Sequence, residues 1–125
     1  MALKNHRLTI ALDFDGVIHK YSKGFHDGTA YDEPVPGVFE AIEKLLLHYN
    51  VFIHSTRDPK EISDWLQEHE APFDWVIYEA RHYLEVYWDE EGVVGITNKK
   101  LVAFAYVDDR GVRFTNWKDI QKRFC

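Results

Sequence analysis

The stretch Leu8-Thr9-Ile10-Ala11-Leu12-Asp13-Phe14-Asp15-Gly16 joins an apolar run to two closely spaced carboxylates. Its first five residues are apolar and partly β-branched, which is typical of a buried strand. The apolar run stops abruptly at Asp13, and Gly16 indicates a turn. The stretch therefore predicts a buried strand that ends in a polar loop carrying Asp13 and Asp15.

The same arrangement recurs along the chain, where short apolar runs end at polar residues. Residues 51–54 run into Ser55-Thr56-Arg57, residues 75–78 run into Glu79, and residues 103–107 run into Asp108-Asp109. Alternating strands and helices with continuously apolar strands predict a parallel, Rossmann-like sheet covered on both faces, that is, a three-layer α/β/α sandwich. Sheets of this kind bind ligands at the carboxyl ends of their strands, where these polar residues fall.

Helical spacing of apolar residues fills two of the intervals between the strands. Residues 38–49 show it after Pro-Val-Pro-Gly, and residues 59–69 show it again. Asp58 is a good N-cap for the second helix, with Pro59 at the first helical position and Glu61 three residues after the cap. A last amphipathic turn or two, with Trp117, is expected near the carboxyl terminus.

The segment from Tyr83 to Thr97 does not follow this alternation. Two short alternating runs flank Asp89-Glu90-Glu91-Gly92, and this pattern predicts a β-hairpin. The hairpin could be a plain surface element, a functional flap or a dimer contact.

The composition predicts one domain over residues 1–125. Of these 125 residues 46% are hydrophobic, enough for a sizeable core, and the formal charge of -6 argues against duplex nucleic acid as a partner. The single cysteine, Cys125, excludes an intrachain disulfide and fits a reducing compartment. We find no signal peptide and no apolar run of about eighteen residues, so we expect a soluble, cytoplasmic protein with no membrane partner.

Taken alone, the Asp13-Phe14-Asp15-Gly16 motif is only moderately specific. Aspartates after strands also cap turns, and calcium loops use alternating acids, although the rest of such a loop is missing here. Specificity rises when the other strand ends are added in chain order: Asp13 and Asp15, then Ser55, then Lys99 and Lys100, then Asp108 and Asp109. This order resembles the four motifs of the haloacid dehalogenase superfamily of phosphohydrolases, over roughly residues 8–114.

The resemblance implies a small Mg²⁺-dependent phosphatase that hydrolyses a phosphate monoester through an aspartyl-phosphate. Asp13 would be the nucleophile and a metal ligand. Asp15 would protonate the leaving oxygen and then activate water, while its backbone carbonyl binds the metal. Asp108 and Asp109 would complete the metal site, with Asp108 favoured as the direct ligand.

The resemblance also assigns residues to the phosphoryl group. Ser55 would donate a hydrogen bond to its oxygens, or Thr56 would if the strand ends one residue later. A lysine would add positive charge, and we favour Lys100 over Lys99. The family's lysine is often followed by proline, whereas Leu101 follows here. Arg57 and Arg110 adjoin the motifs and could touch the substrate, although each could equally be an ordinary surface or ion-pair arginine.

The intervals between the motifs are too short for the large cap domain that many relatives carry. The site would therefore be open to bulky phosphorylated substrates, such as a nucleic-acid end or a phosphoprotein, unless a partner in a homo-oligomer covers it. Tyr21 to Tyr31 lies where the family places a mobile flap, although an ordinary Gly-rich connection is the alternative.

Two other readings compete with a phosphatase. A receiver domain of bacterial signalling uses similar residues, but it needs its acidic pair after the first strand and its phosphorylated aspartate after a middle strand. Here an acidic pair follows Lys99 and Lys100, and the middle strand ends without an aspartate before Asp58. A catalytically silent binding module of the same fold would gain nothing from four uncompensated carboxylates. The histidines, His19 among them, have no grouping with cysteine that would indicate zinc.

Overall fold

A computed structural model describes residues 7–79, 87–108, 112–113, 117–118 and 122 of the chain. The elements along the chain are β1 (Thr9–Asp13), α1 (Val38–Leu46), β2 (Asn50–His54), α2 (Pro59–Glu68), β3 (Asp74–Ile77), β4 (Val93–Thr97), β5 (Ala105–Asp108) and β6 (Val112–Arg113). The strands form one sheet in the order β3-β4-β2-β1-β5-β6, and every pairing is parallel. The prediction of an α/β fold with a parallel, Rossmann-like sheet is therefore confirmed.

The apolar run that opens the sequence forms the interior of this sheet. β1 lies between β2 and β5, and its residues from Thr9 to Leu12 are buried. An unbroken apolar run suits this position, because both faces of a central strand are covered by other residues. β3, in contrast, is an edge strand with mostly exposed residues, although the sequence pattern indicated a buried strand there.

Both helices pack on the same face of the sheet. Ile42 of α1 and Leu66 of α2 belong to one buried cluster, together with Ile10, Leu12 and Ile53 of the strands. The other face carries a smaller cluster that consists of Ala11, Phe52, Trp88 and Leu101. In the described part of the chain this second face is covered by the segment before and after β4, so the outer helical layer of a three-layer sandwich stays a prediction.

The start of α2 follows the sequence signals. Asp58 is the N-cap, its carboxylate accepts the Lys60 N–H at 3.0 Å, and Pro59 occupies the first turn. Glu61, however, directs its carboxylate to Arg57 at 2.6 Å. The residue that looked like part of the helix cap therefore belongs to the site described below.

The predicted hairpin over residues 83–97 is wrong for its second half. β4 is an interior strand, buried from Val94 to Thr97, and it runs parallel to both β2 and β3. The first half of the segment falls largely on residues 80–86, which lie outside the described residues. Gly95 interrupts the apolar residues of β4 and so gives the segment the alternating pattern of a hairpin strand. In the structure the Trp88 indole packs directly on the backbone at Gly95.

We expect Gly95→Ala to destabilise the protein, because a Cβ at this position would lie 2.7 Å from Cδ2 of Trp88. Trp88 is buried and its Nε1 donates to the Val93 carbonyl at 3.2 Å, so its ring has little freedom to move away. Overpacking of this kind costs about 1–3 kcal/mol of unfolding free energy. Urea denaturation of Gly95→Ala beside Val102→Ala, a truncation at an exposed position, measures the effect; equal stabilities would contradict the packing.

No helix in the described ranges is both long enough and apolar enough to cross a lipid bilayer.

Candidate active site

Three neighbouring strands end at one edge of the sheet, and each ends in a polar residue. Asp13 closes β1 and stands in register with His54, which closes β2. Asp108 closes β5 directly after Val107, the partner of Leu12 in β1. Because neighbouring strands lie about 4.8 Å apart, the backbones of Asp13 and Asp108 occupy adjacent positions. The parallel register thus brings the first, second and fourth predicted motifs to a common edge.

The residues predicted to contact phosphate after β2 differ in exposure. Ser55 is buried at the strand end, where its N–H donates to the Thr97 carbonyl at 3.2 Å. Its hydroxyl oxygen accepts the Arg57 N–H at 3.1 Å. Thr56 is exposed. The hydroxyl held at the edge is therefore that of Ser55. This favours Ser55 over Thr56 as the candidate hydrogen-bond donor to phosphoryl oxygens.

The two candidate lysines follow β4 and are both exposed. The Lys99 N–H donates to the Thr97 hydroxyl at 3.0 Å. The Lys100 ammonium lies 5.3 Å from the centre of the Tyr106 ring in β5, and that ring also contacts His54. Lys100 therefore extends across the sheet face towards the strands that carry the aspartates, which favours it over Lys99.

The predicted metal ligands are described only in part. The Asp13 carboxylate accepts the Phe14 N–H at 2.8 Å and is half-buried. The Asp108 side chain and the whole of Asp109 lie outside the described residues. The described residues contain no group of three or more potential ligand side chains arranged around one point. Asp13 and Asp15 still fit Mg²⁺ chemically, because this ion prefers hard oxygen ligands and often takes only one or two carboxylates.

The Asp15 carboxylate is enclosed by two basic side chains. Arg57 Nε lies 3.1 Å from Oδ1 and 2.9 Å from Oδ2, and His19 Nδ1 lies 2.8 Å from Oδ1. A tight loop produces this arrangement, since the Phe14 carbonyl accepts the N–H groups of Ile18 and His19 at 2.9 Å each. Gly16, with φ of 82°, supplies the left-handed residue that the loop needs.

His19 is fully buried, and both of its ring nitrogens are hydrogen-bonded. Nε2 lies 2.9 Å from the backbone nitrogen of Asp32, whose N–H can only donate. Nε2 must therefore be the unprotonated acceptor, and Nδ1 carries the hydrogen that is donated to Asp15. The Phe14 ring stacks on the imidazole with centroids 5.2 Å apart, which holds the plane of the ring.

Arg57 connects the Asp15 carboxylate to two further elements. Its Nη1 donates to the Gly28 carbonyl at 2.7 Å and to Glu61 of α2 at 2.6 Å. Burial lowers the pKa of the guanidinium, but the hydrogen bonds and charges of Asp15 and Glu61 outweigh burial and raise it. Arg57 therefore stays charged and compensates two carboxylates at once.

Residues 21–31, which we call the flap, form an ordered loop beside Asp15. The loop closes at its base, where the Lys20 N–H donates to the Glu33 carbonyl at 2.9 Å. Inside it, the Tyr31 hydroxyl accepts the Lys23 N–H at 2.7 Å and donates to the Gly24 carbonyl at 2.9 Å. The segment is thus held together by its own hydrogen bonds, and Arg57 ties it to the strand edge; its role as a mobile flap stays a prediction.

Asp32 anchors the end of the flap as an acceptor of hydrogen bonds. Hydrogen bonds hold the pKa of this carboxyl well below its usual range. The largest contribution comes from the Ser22 hydroxyl, followed by the N–H groups of Ser22 and Glu33. A carboxylate that binds several donors keeps its charge at any physiological pH. The hydrogen bonds from Ser22 therefore persist across that range and hold the two limbs of the flap together.

Sequence reasoning missed the role of His19 and only partly anticipated that of Arg57. The sequence indicated no metal-binding role for His19 and left two alternatives for Arg57, a contact with the substrate or a surface or ion-pair arginine; the ion pair is what the structure shows, with Asp15 and Glu61 as partners. The available signals were the spacings, because His19 lies four residues after Asp15 and Arg57 two residues after Ser55. Neither spacing specifies a contact until the loop after β1 is known.

Comparison of the chain with protein-family models, with curated proteins and with solved structures finds no match.

Proposed function

We propose that the protein is a Mg²⁺-dependent phosphatase of the haloacid dehalogenase type, which hydrolyses a phosphate monoester through an aspartyl-phosphate. The observation that supports this most strongly is the register of β1 with β2 and β5, which places Asp13 between the ends of two other motif strands. A parallel sheet brings strand ends together whatever its function, so the support lies in the residue types found there: the carboxyl groups of Asp13 and Asp108 and the hydroxyl of Ser55 suit a site with a chemical use. Catalysis of phosphoryl transfer is the use that their chemistry fits best.

In the proposed first step, a carboxylate oxygen of Asp13 attacks phosphorus and the bond to the leaving oxygen breaks. An anionic nucleophile can approach a phosphate dianion only if the negative charge of the phosphoryl oxygens is compensated. Ser55 donates its hydroxyl hydrogen to one of these oxygens, and the Lys100 ammonium supplies positive charge. Bound Mg²⁺ would supply the remaining compensation, held by the Asp13 carboxylate, the Asp15 carbonyl and Asp108 or Asp109.

Asp15 is the proposed acid and base. In its protonated form it gives the proton to the leaving oxygen, and as a carboxylate it then takes a proton from the water that hydrolyses the aspartyl-phosphate. The hydrogen bonds from Arg57 and His19 orient the carboxylate form described above. This form is the one that activates water.

The substrate class follows from the flap and from the proposed absence of a large cap domain. Arg57 connects Asp15 to the flap through the Gly28 carbonyl, and without a cap domain the flap would be the segment that borders the site. A site of this kind accepts a phosphate on a large molecule more easily than an enclosed cavity does. A second copy of the chain could also narrow the opening, and size-exclusion chromatography with light scattering would detect it.

The direct test of this proposal is hydrolysis of p-nitrophenyl phosphate by the purified protein with Mg²⁺. We expect turnover that stops on addition of EDTA and returns with excess Mg²⁺. A panel of nucleotides, sugar phosphates and phosphorylated oligonucleotide ends then ranks the substrates by kcat/KM. Turnover that survives chelation, or no turnover of the aryl phosphate and of every panel member, would contradict the proposal.

A further inference from the structure

The proposed acid–base carboxylate is connected to the flap region by two separate bridges. One bridge is His19, whose Nδ1 lies 2.8 Å from Asp15 and whose Nε2 accepts the Asp32 N–H at 2.9 Å. The other is Arg57, which holds Asp15 through Nε and the Gly28 carbonyl through Nη1. The two bridges reach the flap region at different points: His19 contacts Asp32, immediately after the flap, and Arg57 contacts Gly28 within it.

The His19 ring has no alternative orientation that keeps these contacts. It is fully buried, with the Phe14 ring stacked on it and the edges of Tyr31 and Trp65 at centroid distances of 5.3 Å and 5.8 Å. A flip of the ring would break both hydrogen bonds and leave buried polar groups without partners. The direction of the hydrogen bond to Asp15 is therefore linked to the position of the Asp32 backbone.

The short loop after β1 makes His19 suited to this role. The His19 N–H donates to the Phe14 carbonyl and the His19 carbonyl accepts the Gly16 N–H at 2.8 Å, so its backbone is fixed on both sides of Asp15. An imidazole with a fixed backbone and an immobile ring presents Nδ1 at a defined point.

We infer that His19 is a positioning residue, which holds the Asp15 carboxyl where it can reach the leaving oxygen and couples that position to the flap. The inference rests on the proposed function. His19 touches no reacting atom, and its contribution passes through Asp15 alone. Loss of the Nδ1 hydrogen bond would leave Asp13 in place while the acid group is misplaced.

The role can be tested because the leaving group decides how much acid catalysis matters. p-Nitrophenol is an acidic alcohol and leaves with little help from a proton, whereas phenol has a pKa of about 10, like that of tyrosine, and needs one. The parameter kcat/KM reports the steps up to the departure of the leaving group. The ratio of kcat/KM for phenyl phosphate to that for p-nitrophenyl phosphate therefore measures how well Asp15 is placed as an acid.

Two substitutions of His19 separate its two hydrogen bonds. In His19→Asn the amide nitrogen takes the place of Nδ1 and can donate to Asp15, whereas in His19→Gln the amide oxygen takes the place of Nε2 and accepts only the Asp32 N–H. We expect His19→Gln to lower kcat/KM for phenyl phosphate about tenfold to a hundredfold more than for p-nitrophenyl phosphate. In His19→Asn, which keeps a donor for Asp15 but loses the acceptor for the Asp32 N–H, the ratio should fall by less than in His19→Gln.

An equal loss for both substrates in His19→Gln would overturn the inference and leave the proposed function standing, since a merely structural role lowers both rates together. Failure of the wild type to hydrolyse these esters and every member of the substrate panel would instead refute the proposed function itself. Thermal unfolding of both variants shows whether they fold. Should His19→Gln not fold, His19→Ala takes its place: a ratio lower in His19→Ala than in His19→Asn supports positioning, and equal ratios in the two variants contradict it.

Discussion

Asp13→Asn is expected to lower kcat/KM toward p-nitrophenyl phosphate by roughly 10⁴-fold or more, because an uncharged amide cannot serve as the attacking nucleophile. The same change removes one negative ligand from the proposed Mg²⁺ site. Steady-state kinetics with saturating Mg²⁺ measure the loss. Activity within about tenfold of the wild type would show that Asp13 is not the nucleophile.

The fold should survive this substitution. Asn has the size of Asp, and its side-chain oxygen can still accept the Phe14 N–H that Asp13 accepts at 2.8 Å. Asp74→Asn is the matched control, since Asp74 is an exposed carboxylate at the amino end of β3, away from the strand edge that carries Asp13. The control should keep the activity of the wild type, and both variants should unfold within a few degrees of it.

Arg57→Ala is expected to lower both stability and activity, because it removes the cation shared by Asp15 and Glu61. The Arg57 side chain is 9% exposed, and its guanidinium donates to both carboxylates and to the Gly28 carbonyl. Removing one partner of a largely buried, hydrogen-bonded ion pair costs roughly 2–4 kcal/mol of unfolding free energy. Activity should fall about a hundredfold or more, since Asp15 loses its orientation and the flap loses its tie to the site.

The control for this variant is Lys60→Ala, which removes a cation three residues further along the chain. The Lys60 side chain is 73% exposed and pairs with Asp64, and such surface pairs contribute about 0–1 kcal/mol. The unfolding free energy of Arg57→Lys should lie between those of Arg57→Ala and Lys60→Ala. Its single ammonium keeps the charge but cannot reproduce the several N–H groups that contact Asp15 and Gly28 together. Urea unfolding curves for Arg57→Ala and Lys60→Ala that coincide would contradict this account.

The strands and helices that carry strong local signals could be predicted from the sequence. β1 and β2 are uninterrupted apolar runs that stop at polar residues, and α2 begins at the Asp58 cap as expected. The position of β4 in the sheet was predicted wrongly, because the acidic residues before it resemble a hairpin turn and because Gly95 interrupts its apolar pattern. Only the packing of Trp88 on Gly95 explains why a glycine belongs in a buried strand.

The candidate site was predictable to the extent that it depends on strand ends. A parallel sheet brings the carboxyl ends of neighbouring strands together, so Asp13 and Ser55 could be placed from the order of the motifs alone. The contacts of Asp15 could not, because His19 depends on the turn after Phe14 and Arg57 reaches a loop 29 residues away at Gly28. Contacts of this kind depend on loop conformation, and no local pattern encodes it.

The most direct measurement of the central claim is identification of the covalent intermediate. Asp15→Asn removes the proposed acid and base and should slow both steps. With p-nitrophenyl phosphate, whose leaving group needs little protonation, hydrolysis of the aspartyl-phosphate should slow more than its formation, so the phosphorylated protein should accumulate in the presence of Mg²⁺. Rapid acid quenching, proteolysis and mass spectrometry then locate the added group. We predict one phosphoryl group on Asp13; a phosphoryl group on another residue, or turnover of substrate without any phosphorylated protein, would contradict the mechanism.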